Sequence, residues 1–115
     1  MAEVTASAYS DLRTYISSNW QYIELQNEVG TKILRINTTD PRVTSVIEGN
    51  IVKFTVVIKG TDTDIIKPVT FAQSSTYKVA TGGSAFTVEP FAPFTIEGDN
   101  DELTIIHEIQ VPKIV

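Results

Sequence analysis

The chain contains no cysteine, one histidine, one tryptophan and one methionine among its 115 residues. Without cysteine there is no disulfide framework, thiolate metal site, cysteine nucleophile or iron–sulfur cluster. A single histidine excludes a multi-histidine metal site within one chain. Positive charge is also scarce: nine Lys and Arg against fourteen Asp and Glu leave a net charge of −5. The basic residues stand singly, whereas phosphate binding needs them clustered, so no nucleic-acid partner is expected. No apolar run approaches the length of a membrane span, which argues against a membrane partner. The opening Met-Ala-Glu-Val has an acid where a secretory signal carries positive charge, so no signal peptide is expected. Gly82-Gly83 lacks the Lys-Ser/Thr and the helix of a phosphate loop. No cofactor is expected.

What remains reads as one mainly β domain spanning residues 1–115, with a core large enough to need no covalent staple. Tyr9, Leu12, Ile16 and Trp20 recur at spacings of three and four, which predicts a short N-terminal helix over about 5–18. Ser7 or Ser10 is the expected cap, and Ser17-Ser18-Asn19 the stop. Strands then run from about 20 to 111. Trp20–Leu25 and Thr31–Asn37 flank a turn at Asn27–Gly30, and Arg42–Ile47 is a third strand. Ile51–Lys59 alternates Val52, Phe54, Val56 and Ile58 with Lys53, Thr55, Val57 and Lys59, the period of a half-buried antiparallel strand. Tyr77–Ala80 reads as a short strand and Thr81–Ser84 as a flexible turn. Phe86–Ile96 holds two prolines and therefore reads as an edge or a broken strand rather than a central one. Leu103–Val111 is the last strand, ended by Pro112. Seven or eight such strands predict an immunoglobulin-like antiparallel β-sandwich.

Few residues invite chemistry. Counting by twos from Leu103 places His107 on the apolar face of the last strand, away from Glu108, and no serine lies in a nucleophile-elbow pattern. A hydrogen-bonded core histidine is expected, without catalytic residues. Glu97, Asp99 and Asp101 are the one set of metal candidates. They echo a calcium loop only superficially, since Glu102 stands where the sharp turn needs glycine. Asp62 and Asp64 would have to join them for a calcium site; the alternative is a solvated turn whose charges discourage edge pairing. Phe86, Phe91 and Phe94, interleaved with Pro90 and Pro93, are either core residues of an edge strand or a docking surface. Val57 and Ile106 interrupt otherwise polar strand faces and join them as interface candidates. Trp20 and Tyr22 are either a sugar-binding platform or, for Trp20, a bolt between helix and sheet.

The helix at Ala8–Ser18, the strand Trp20-Gln-Tyr-Ile-Glu-Leu25 with its Gly30 turn, and the closing run from Asp99 to Ile109 together resemble small bacteriophage or prophage virion proteins. Tail, fibre-base or baseplate accessory proteins often end in a similar acidic turn leading into a long last strand. The resemblance implies a non-enzymatic structural subunit of a phage or prophage particle, made in the host cytoplasm and located in the virion. Its partners would be other virion proteins or copies of itself in a homo-oligomer. A calcium-dependent or carbohydrate-binding β-sandwich module is the competing expectation.

Overall fold

Alternation in Ile51–Lys59 builds the first sheet. In the computed structural model, which describes residues 1–112, this segment is β4, and Val52, Phe54, Val56 and Ile58 are all fully buried. β4 lies between β3 (Val43–Glu48) and β7 (Glu102–Gln110), antiparallel to both. On β7, Ile105, His107 and Ile109 face inward with the core, and Thr104, Ile106, Glu108 and Gln110 face solvent.

The second sheet runs β2-β1-β5-β6, with β1 Tyr22–Gln26, β2 Lys32–Asn37, β5 Val69–Tyr77 and β6 Thr87–Ile96. All its pairings are antiparallel. Ile23, Leu25, Ile36, Phe71 and Ile96 line its inner face and meet the first sheet in one apolar core. The expected antiparallel sandwich with one N-terminal helix is thus the observed architecture, divided into four strands and three. The strand order, 2-1-5-6 over 3-4-7, comes from three hairpins and a final strand alternating between sheets. β6 is an edge, as its prolines require.

The helix α1 spans Ala6–Asn19. Its cap is Thr5, whose Oγ1 accepts from the Ala8 amide, in place of the expected Ser7 or Ser10. The expected stop at Ser17–Asn19 lies inside the helix, because Asn19 donates back to the Tyr15 carbonyl and the Trp20 amide to that of Ile16. Ile16 is its one buried residue, and α1 packs on β3 and β4. Ser17 Oγ lies 3.0 Å from Ser45 Oγ on β3, so the helix covers the inner face at that side of the sheet.

The expected strand at Tyr77–Ala80 is a correction. The strand lies upstream, at Val69–Tyr77, and the polar run Gln73-Ser74-Ser75-Thr76 sits in the middle of the four-stranded sheet. Ser74, Ser75 and Thr76 are fully buried, stabilised there by hydrogen bonds rather than by apolar contact.

The two turns closing this end of the sandwich touch through backbone. The Gly60 amide donates to the Asp101 carbonyl at 2.8 Å. A Cβ at Gly60 would sit 1.8 Å from the Gly98 carbonyl oxygen. Gly60→Ala must therefore push the turns apart. The expected loss is about 1–3 kcal/mol in urea unfolding; an unchanged midpoint would contradict the close approach.

Candidate functional site

The two sheets are joined by a polar chain at His107. Its ring is 1% exposed, with Nδ1 2.7 Å from Ser74 Oγ and Nε2 2.7 Å from Thr87 Oγ1. Thr87 Oγ1 in turn lies 2.6 Å from Thr76 Oγ1. Ser74, Thr76 and Thr87 belong to one sheet and His107 to the other, so the imidazole bridges them. Desolvation pushes the His107 pKa down to about 4, keeping the ring neutral near pH 7. A Ser–His pair is present here, but no carboxylate orients the ring, and burial seals it from a substrate. Glu108, pointing outward, uses its backbone amide to donate to Glu89 Oε1 at 2.8 Å.

A second polar network lies on the outer face of the four-stranded sheet. Glu24 of β1 and Arg35 of β2 are directly opposite, and both side chains are nearly buried. Arg35 Nε donates to Glu24 Oε1 at 3.0 Å, and the guanidinium lies 3.5 Å above the Tyr77 ring centroid. Its Nη1 donates to the carbonyls of Val79 and Gly82, both at 2.9 Å. Gln26 donates to Glu24 Oε2 at 2.6 Å and accepts from Ser75 and Gln73. No buried side-chain polar atom is unpaired among the described residues. The segment after β5, expected as a flexible turn, is thereby fastened to the sheet. Gly82 and Gly83 supply the positive φ values its path requires.

The acidic candidates do not converge. Asp101 accepts from the amides of Glu97 and Gly98 at 2.8 and 3.0 Å, which hold its carboxyl below the usual carboxylate range. Asp99 pairs with Lys67, and Glu97 is exposed. Asp62 and Asp64 reach Arg42 instead, together with Asp40. Arg42 hydrogen bonds hold Asp40 and Asp64 low and raise the arginine itself. This cluster ties the turn after β2 to the turn after β4 and places a guanidinium where three carboxylates meet. Among the described residues, no group of three or more His, Asp or Glu could hold a metal ion.

The aromatic candidates divide. Phe91 is half-buried and packs on the core, in line with the core alternative. Phe86 and Phe94 are exposed, and Phe86 meets Trp20 edge-on at 5.0 Å. Trp20 packs partly on the core at the end of α1, as the bolt reading expects. Val57 is half-buried beside Arg42 and Lys59 in an open cavity of about 430 Å³, and Ile106 is 45% exposed. Val46 and Ile47 of β3, 39% and 42% exposed, escaped the sequence reading. They lie in the run Val43-Thr-Ser-Val-Ile47, whose apolar residues fall on both faces, so its alternation carries no signal. Among the described residues, no helix is long and apolar enough to cross a membrane.

Two outcomes test these networks. The unfolded histidine takes up its proton near pH 6.5, whereas the folded one resists until about 4. The unfolded state therefore binds more protons across that window, and stability falls as pH drops from 6.5 to 4, by about 3 kcal/mol in total. Urea titrations should show this slope and lose it in His107→Leu, which also forfeits about 1–3 kcal/mol at pH 7. Asp40 and Asp64 act separately, below their ordinary range. For the outer face, Arg35→Met alone should cost about 3–5 kcal/mol by stranding Glu24. Adding Glu24→Leu should recover part of that loss; additive losses in the thermodynamic cycle would contradict coupling.

Comparison with known protein families, curated proteins and solved structures finds no match to this chain.

Proposed function

We propose that this chain is a non-enzymatic structural subunit of a phage or prophage particle, acting by self-association or by docking to other virion proteins. The observation that carries the association is where the exposed apolar side chains borne by strands lie. Val46 and Ile47 sit on β3, Val88 and Phe94 on β6 and Ile106 on β7, and each of these strands ends a sheet. Edge strands offer unpaired backbone groups, and apolar side chains beside them add the burial that an interface needs. Resemblance to small virion proteins supplies the setting, and the edges supply the means. The groups suited to acid–base or metal chemistry are engaged inside the molecule: His107 by hydroxyls, Asp101 by amides, Asp62 and Asp64 by Arg42. A calcium-dependent or carbohydrate-binding module lacks a comparable supporting observation.

Sedimentation of extracts from producing cells tests this reading. The chain should migrate with assembled particles and dissociate from them as a discrete oligomer or complex. Recovery solely at the mass of one chain, with none in the particle fraction, would refute it.

A further inference from the structure

We propose that the free edge of β3 is a homodimer interface, in which two copies pair antiparallel about a two-fold axis at Ser45. The proposal rests on the association reading and names its surface. The Val57 amide donates to the Arg42 carbonyl at 3.0 Å, and Val43 lies opposite Val56. In an antiparallel ladder this phase gives Thr44, Val46 and Glu48 their hydrogen bonds with β4. Val43, Ser45 and Ile47 then turn their N–H and C=O groups toward the open side. Asp40 occupies the Val43 amide at 2.9 Å, leaving Ser45 and Ile47 as donors.

The other three edges carry devices against pairing. β6 holds Pro90 and Pro93, which have no N–H to give. It also turns the Glu89 carboxylate onto β7, where Oε1 takes the outward amide of Glu108. β7 itself adds Glu102 and Glu108. β2 begins at a bulge in its pairing with β1 and carries exposed Lys32. β3 has no proline and no bulge in its pairing with β4, and its one charge, Glu48, is at its end.

The register about Ser45 is self-complementary. It sets Val43 opposite Ile47 of the second copy and Thr44 opposite Val46. One step beyond, Arg42 and Glu48 come opposite one another, each already paired within its own chain, Arg42 with Asp40, Asp62 and Asp64 and Glu48 with Lys53. The helix does not obstruct the approach. α1 contacts β4 as well as β3. If it is centred over the two, with strands about 4.8 Å apart, the helices of two paired copies stand roughly 10 Å from one another, an ordinary packing distance.

Absence of native cysteine makes a register test direct. Thr44→Cys and Val46→Cys chains, mixed and oxidised, should form a disulfide-linked heterodimer, because these positions face each other at about 4.5 Å between Cα atoms. Either variant alone should cross-link far less. Val46→Lys should weaken the dimer by at least about tenfold in sedimentation equilibrium, since a charge on the dyad face opposes burial. Cross-linking through Ile106→Cys in place of the mixed pair, or a dimer indifferent to Val46→Lys, would overturn this interface and leave association standing. A chain that enters particles yet stays monomeric at millimolar concentration would do the same. Exclusion from particles counts against the function itself.

Discussion

The Glu24–Arg35 pair is what allows the four-stranded sheet to be polar on its outward face and still closed to water. A buried ion pair contributes little net stability, since desolvation offsets most of its attraction. Its importance lies in what it orders. Arg35 holds Glu24 on one side, the Tyr77 ring below and two loop carbonyls above, so three strands and a nine-residue excursion share one guanidinium. Glu24 in turn fixes Gln26, which binds Gln73 and Ser75 on the central strand. With those groups satisfied, β5 can hold a glutamine and two serines where a sandwich of this size ordinarily places β-branched residues.

That network also explains what the sequence could and could not disclose. β4 and β7 were legible almost to the residue because one face of each is apolar and the other wet, which stamps a period of two on the chain. β6 was legible as an edge from its prolines. β5 was not, because both of its faces are buried and much of its burial is polar; the pattern that marks a strand is a difference between faces, and here the difference is small. His107 followed from counting along β7, but its partners Ser74 and Thr87 lie 33 and 20 residues away, a distance that no local pattern spans. The partners of the acidic residues were hidden in the same way. Asp62 and Asp64 do lie near the 97–102 turn in the fold, as the Gly60–Gly98 contact requires, yet Arg42 from a third turn claims their carboxylates.

The two polar networks and the apolar core act on different parts of the molecule. The core and the His107 chain set the sheets against one another, while Arg35 binds a loop to the sheet and Arg42 ties one turn to another. Each arginine gathers segments that are distant along the chain. Arg35 is nearly buried, whereas Arg42 sits among the carboxylates of the turns, where much of the negative surplus resides.

Edge protection then bears on how far association can run. Pairing at β3 joins two three-stranded sheets into six strands ordered 7-4-3-3-4-7, with β7 at both ends. Those ends are the edges where Glu89 occupies an outward amide and Glu102 and Glu108 add like charge. A strand approaching β7 must displace a charge-assisted hydrogen bond and set its own backbone beside two carboxylates. The β3 contact is isologous and closes on itself. An open β3 and a guarded β7 therefore favour a discrete pair over an endless sheet, which is the distinction a β-rich assembly subunit must maintain.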